Sequence, residues 1–291
     1  MVPPWMERSD FVTRWAIRII MIVLAALMLF PFAYVLAVSF SNLQDVVSGK
    51  LVIFPSHPTF AAYIWVLQSS GVVQGFGVSL LRVLLGTGID MVMTTLMAYA
   101  LCRRGVPGTK FFLWMVLLTM LLSPSLITSY LVVRQLHLID TIWALILPTA
   151  IAPFNLIVLR QFFMNIPLEL IESAKLDGAS DLRILWSIVV PLSKASLAAI
   201  ALFYAVGHWN SFFDAIMYIN DPQLFPLSVI LRQVVIQGSL PQDIAMATEA
   251  QPPDITIQMA VVVITTVPIL LLYPFLQKYF TRGVLTGSIK G

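Results

Sequence analysis

The chain has 291 residues, 59% hydrophobic and only 11% charged, with a mean hydropathy of +0.92. Soluble domains carry about 25% charged residues, so this composition excludes one and marks a polytopic membrane protein. The net charge of +3 comes from 17 basic and 14 acidic residues; on so apolar a chain it reports membrane orientation rather than nucleic-acid binding.

Residues 1–14 are short and polar, with Arg8 and Arg14. A bilayer core needs about 20 apolar residues in helix, and residues 15–280 supply six such spans. The first runs from Trp15 to Phe40; it is too long for a signal h-region, lacks a small-residue cleavage site and is expected to stay as an anchor. Residues 41–74 form a mixed loop with interfacial aromatics. The second span covers Phe76 to Leu101. The third covers Phe111 to Val133, with a kink expected at Pro124. The fourth covers Trp143 to Phe163, with Pro148 and Pro153 inside. The fifth starts near Ala195 and reaches Tyr218. A polar segment, 221–254, carries an amphipathic patch at Leu227, Ile230, Leu231, Val234 and Val235. The sixth span covers Ile257 to Phe280, and residues 281–291 form a tail. The expected fold class is therefore all-α, with six transmembrane helices.

Charge chooses a side. Arg103, Arg104, Lys110, Lys175, Arg183, Lys194, Lys278, Arg282 and Lys290 fall with the N-terminus on one set of loops, against Lys50, Arg134 and Arg232 on the other. By the positive-inside rule both termini and the loop 165–191 are expected in the cytoplasm, and 221–254 outside.

The loop 165–191, NIPLELIESAKLDGASDLRILWSIVVP, has its own helix grammar. Pro167 suits a first turn, and Glu169 and Glu172 fall where the macrodipole favours acids. Gly178 supplies a left-handed stop, and Ser180 and Asp181 open a second helix. In that helix Leu182, Leu185, Trp186 and Val189 are expected to form one apolar stripe. A plain connector needs none of this, though an amphipathic helix lying at the membrane surface would share the amphipathicity.

Glu172-Ser173-Ala174, then Asp177-Gly178-Ala179, Ile188 and Pro191 resemble the EAA motif of bacterial ABC-importer permeases. Ser173 replaces the usual alanine, and Ala195 stands where relatives often carry a second proline. The resemblance extends over nearly the whole chain, to the MalG-like subunits of carbohydrate importers, and implies the type I importer permease fold. It implies that Glu172, Ser173, Ala174, Asp177, Gly178 and Ala179 form a coupling helix docking on an ATPase. It implies a homologous second permease subunit, two ATPase subunits and an external solute-binding protein, in a bacterial inner membrane. ATP and Mg would be bound by the ATPase partners, with no cofactor on this chain. The tail Gly287, Ser288, Ile289, Lys290 and Gly291 resembles an extension that enters the ATPase interface; fraying is its plain alternative. The external loop, made irregular by Gly238, Pro241, Pro252 and Pro253, resembles one that reaches a binding protein; a surface helix with slack loop is the other reading. HWNSFFDAIMYI and YPFLQKYFTRGVLTGSIKG are similar to permeases for complex oligosaccharides, including pectin and alginate fragments.

Buried polar groups within spans are costly unless used. Asn155, His208, Trp209, Asn210, Phe213 and Asp214 are thus candidates for a sugar path, with helix–helix hydrogen bonding as their plain alternative. Arg82 and Asp90 rise about 12 Å apart along one helix and are not a simple pair. A partner across a subunit interface is expected for them, and Arg82 could attract an anionic uronate. No phosphate-binding Gly-Lys-Ser/Thr loop is present, and His57, His137 and His208 have no metal-ligand spacing. The chain is therefore expected to be non-catalytic, with no metal site. A proton-coupled carrier using Asp90 and Asp214, an importer of neutral malto-type sugars, and a membrane enzyme are the competing readings.

Overall fold

The structure, a computed structural model, describes residues 4–42, 45–46, 54–103, 105–122, 124–236 and 254–287. Twelve helices are used below: α1 (Pro4–Ser39), α2 (Ala61–Gln68), α3 (Ser70–Cys102), α4 (Thr109–Leu121), α5 (Leu126–Gln135), α6 (Pro153–Met164), α7 (Leu168–Leu176), α8 (Asp181–Leu192), α9 (Lys194–Asn210), α10 (Phe213–Tyr218), α11 (Leu227–Ile236) and α12 (Asp254–Gly287). The chain divides into two compact units: residues 1–70 with 234–266, and 71–233 with 267–291.

In the first unit, α1 presents apolar side chains all round, and an 18-residue apolar window of the span Thr13–Ser39 has no residue buried by the chain itself. Burial begins only at its end, with Ala37 and Val38. There Ser39 Oγ donates to Leu36 O and shares a 2.7 Å hydrogen bond with the Tyr63 hydroxyl. Phe40 packs against Phe60 and Tyr63 at 5.3 and 4.9 Å between ring centres. This knot fixes α2 against the end of α1.

The second unit is organised on α3. Its buried positions include Val72, Gly75, Ser79, Arg82, Gly86, Asp90, Thr94, Ala98 and Leu101. They recur every three or four residues and so form one face. That face is small and polar, whereas the outward face carries Leu80, Leu81, Leu84, Leu85, Val92 and Leu96. The polarity is inverted relative to a soluble helix. In lipid, close packing of small residues and interhelical hydrogen bonds hold helices together. A Cβ on Gly75 would lie 2.4 Å from Ile230 Cδ1 and 3.2 Å from Phe225 O, so a side chain there would require Ile230 to move.

Among the described residues, three continuous helices, Thr13–Ser39, α3 and Asp254–Leu271, are long and apolar enough to cross a membrane, or up to five if each bent pair is one span, where six were expected. The expected third span is broken after Leu121, and α5 restarts at Leu126, on either side of the noted Pro124. The fourth begins as two 3-10 turns, Ile142–Leu145 and Leu147–Thr149, and bends by 52° into α6. Pro148 and Pro153 account for this, since each removes an N–H from the ladder. The fifth stops at Asn210, and α10 follows after Ser211 and Phe212. The sixth is longer than expected, running to Gly287, so residues 281–287 continue a helix.

A loop clamp joins the α5 end to the α10 end. Asp140, at φ 59°, donates its N–H to Tyr218 O at 3.0 Å. Its carboxylate accepts from the Asn220 backbone N–H, from Asn220 Nδ2 at 3.0 Å and from Asp221 N at 3.1 Å. The Asn220 side chain first, then these backbone donors, hold the Asp140 carboxyl below its ordinary range. A lowered carboxyl pKa stabilises the folded state above the unfolded value, and that contribution is lost as pH falls through the folded value. The thermal midpoint is therefore expected to drop as pH falls below the ordinary aspartate range of about 4, and to drop less in Asp140→Ala. Equal drops in a pH series of thermal scans would contradict this role.

Candidate functional site: the motif loop and a polar cavity

The motif loop folds for local reasons. α7 has Glu169 in its first turn and Lys175 in its last, both matched to the macrodipole. It ends in a Schellman pattern: Gly178 N–H donates to Lys175 O at 3.0 Å and Ala179 N–H to Ala174 O at 2.9 Å. Gly178 sits at φ +75°, where a side chain is strained. Ser180 then caps α8, accepting from Arg183 N–H.

Burial divides the motif into two faces. Ala174 and Ala179 pack with Ile171 against the core around Leu159, Phe163, Ile184 and Leu185. Glu172, Ser173, Asp177 and Gly178 are exposed, with Leu176 89% exposed between them. This is an acid-flanked apolar knob on a well-anchored helix.

α8 departs from the expected stripe. Leu182 and Trp186 are exposed, while Ile184, Leu185 and Val189 are buried. Residues Leu185–Val189 form a π turn, in which the bonding step is five residues rather than four. Ile184 takes the place of Leu182 and Trp186 on the buried face beside Leu185 and Val189. After Leu192 the chain bends by 86° into α9.

The second site is a cavity of about 380 Å³ lined by Arg82, Asp90, Thr149, Ala152, Asn155, Phe203, Tyr204, Gly207, His208, Ser211, Phe213 and Asp214. Arg82, 1% exposed, binds the Asp214 carboxylate and donates to Ser211 O at 3.1 Å and Leu145 O at 3.2 Å. Both carbonyls belong to helix breaks. Non-helical backbone at membrane depth must be satisfied within the protein, and one guanidinium does this for two broken spans. Asp214 also accepts from Ser211 Oγ at 2.7 Å and from its neighbour's N–H, Ala215 N, at 2.9 Å. One turn-pair along α3, Asp90 Oδ2 meets His208 Nε2 at 2.7 Å, with Asp90 fully buried. Asp90 Oδ1 and Arg82 Nε have no hydrogen-bond partner among the described residues.

The structure brings together Asn155, His208, Phe213 and Asp214 at the cavity. Trp209 instead packs edge-on against Phe76 at 5.8 Å, and Asn210 is exposed; neither lines the cavity. Arg82 and Asp90 find their partners within this chain rather than across a subunit interface, because the helix breaks bring α10 and α9 to α3. Arg82 is thereby committed, and is not the free cation that a uronate would need. Gly238, Pro241, Pro252, Pro253, Ser288, Ile289, Lys290 and Gly291 lie outside the described residues, and Gly287 closes α12. Residues not singled out from sequence also matter. Tyr204 hydroxyl shares a 2.7 Å bond with Thr94 Oγ1 and accepts from Ala152 N–H at 3.0 Å. Arg103 binds the Asp181 carboxylate and donates to Tyr99 hydroxyl at 2.5 Å.

Broken spans on a polar central helix, and an exposed helical loop anchored beneath them, are the architecture of an ABC-importer permease. Residues 91–286 match the family model described as binding-protein-dependent transport system inner membrane component. The chain belongs to that family. It is 45% identical to the Bacillus subtilis polygalacturonan/rhamnogalacturonan transport system permease protein YtcP, over 93% of this chain and 96% of that one. It is 46% identical to the Bacillus subtilis protein LplC, over 91% and 90%. Among solved structures it superposes with TM-score 0.90 and 28% identity on a chain of a bacterial ABC transporter involved in the import of the acidic polysaccharide alginate, covering 94% of this chain and 98% of that one.

The tightest contact at the cavity gives a paired test. A Cβ on Gly86 would meet His208 Nε2 at 2.5 Å, whereas one on Gly88 would meet nothing within 4 Å. Gly86→Ala is expected to destabilise by about 1–3 kcal/mol through overpacking. Gly88→Ala is expected to be neutral or slightly stabilising. Thermal melts of the two purified variants decide it; equal midpoints would remove the close contact from the account.

Proposed function

We propose that the chain is one permease subunit of an ATP-driven importer of oligosaccharides, and of acidic ones in particular. The exposed Glu172–Gly178 face, held on the core by Ala174 and Ala179, carries this reading. An acid-flanked knob with Leu176 at its tip suits a groove with basic rims on an ATPase subunit. ATP and Mg sit on that partner, and a homologous permease and an external binding protein complete the complex. Both termini and the motif loop lie in the cytoplasm, as the basic loops require.

The names of the similar proteins support acidic sugars: one relative transports polygalacturonan and rhamnogalacturonan, and one structural neighbour imports alginate. In this subunit the cavity offers an Asn155 amide, which both donates and accepts, with Phe203 and Phe213 beside it. These are groups that hold sugar hydroxyls and ring faces. A second reading, import of neutral oligosaccharides, is favoured by one observation: Arg82 is neutralised by Asp214, so the lining has no uncommitted guanidinium. For an acidic substrate the carboxylates are then met on the partner permease.

Two tests follow in the reconstituted complex with its binding protein. Uronate oligosaccharides from polygalacturonan or alginate are expected to stimulate ATP hydrolysis, and maltose-type ones are not; the opposite pattern would favour the second reading. Glu172→Lys and Gly178→Pro are expected to abolish that stimulation while the subunit still reaches the membrane. Normal stimulation in both would contradict docking through this loop.

A further inference from the structure

The polar contacts on α3 are not scattered. Four of them join α3 to the segment that leaves the motif loop, and these four run in order. Nearest the loop, Tyr99 hydroxyl donates to Asp181 O at 3.1 Å, beside the Arg103–Asp181 ion pair. Next, Thr94 meets Tyr204 at 2.7 Å. Then Asp90 meets His208 at 2.7 Å, and Arg82 meets Asp214. Moving down α3 from 99 to 82 moves up the other strand of the seam from 181 to 214. The first rung sits at the foot of the motif loop, and the last two are walls of the cavity. The seam spans about 25 Å of helix.

We propose that this seam is the rod that carries motion of the motif loop to the cavity, with Thr94 and Tyr99 as positioning residues. It rests on the reading that the loop docks on an ATPase. Thr94 is fully buried and Tyr99 is 7% exposed. At the buried Thr94–Tyr204 rung no protein group among the described residues stands by to replace a broken bond, so opening it leaves the Thr94 hydroxyl unmet. The rungs therefore stay closed while the loop moves, and α3, α8 and α9 shift as one body. Tyr204 widens the linkage, since its hydroxyl also holds Ala152 N–H at the start of α6, the helix that leads into the loop. A seam of apolar contacts would slide; directional bonds between a fully buried threonine and a tyrosine do not.

The test uses the whole reconstituted complex with binding protein, and uronate oligosaccharide as the transported probe. Thr94→Val and Tyr99→Phe each remove one hydroxyl at nearly constant volume, and neither residue lines the cavity. Sugar delivered per ATP hydrolysed is expected to fall about fivefold in each, the worth of one net hydrogen bond. Thr94→Ser, which keeps the hydroxyl, is expected to restore the ratio. A purely structural role would lower yield or thermal midpoint while leaving delivery per ATP unchanged. Unchanged delivery per ATP in Thr94→Val and Tyr99→Phe, alongside loss in Glu172→Lys, would overturn the seam and leave the docking reading standing. Unchanged delivery in all three would overturn both.

Discussion

A guanidinium buried to 1% exposure in an apolar bundle is the constraint on which the second unit turns. Arg82 cannot stay charged there without partners. It takes the Asp214 carboxylate and the carbonyls of Ser211 and Leu145. Those carbonyls exist as acceptors only because the helices around them are interrupted. The interruptions leave backbone groups that lipid would not satisfy, and the arginine satisfies them. Charge and broken helix thus explain each other, and the cavity is the space that this arrangement encloses.

The same logic gives α3 its inverted face. Its outward leucines meet an apolar environment, while Ser79, Arg82, Asp90 and Thr94 bond within the bundle. Glycine at 86 lets His208 reach Asp90. The motif loop is anchored on the apolar part of the same unit, through Ala174, Ala179, Ile184 and Leu185. One helix therefore borders both the surface where a cytoplasmic partner would press and the cavity where a solute would pass.

What was legible in the sequence was local. Gly178, Ser180 and the acids of 169–177 announce their turn and caps within a few residues, and the structure has them there. Of the six expected spans, hydropathy found three that are continuous helices among the described residues, and the breaks in the third and fourth fall near the prolines noted in each. The pairing of Arg82 with Asp214 was not, because 132 residues separate them. A signal existed: Asp90, Asp214, Arg82 and His208 at membrane depth each demand a partner, and internal pairing gives each of them one. The stripe on α8 was misplaced because several apolar faces were open to the segment, and the core took Ile184 in place of Leu182 and Trp186. Trp209 was a sugar-path candidate as an aromatic residue within the fifth span, with packing as its plain alternative, and its ring lies edge-on to Phe76.

The most direct measurement is a double-mutant cycle on the buried pair, read by thermal unfolding of the assembled complex. Arg82→Met and Asp214→Asn singly are each expected to cost about 3 kcal/mol or more, since each strands a charge. The double variant is expected to be clearly more stable than the sum of the singles predicts, because neither charge is then left alone. Additive losses would mean that the two side chains do not depend on each other, and would contradict the account of the cavity at its centre.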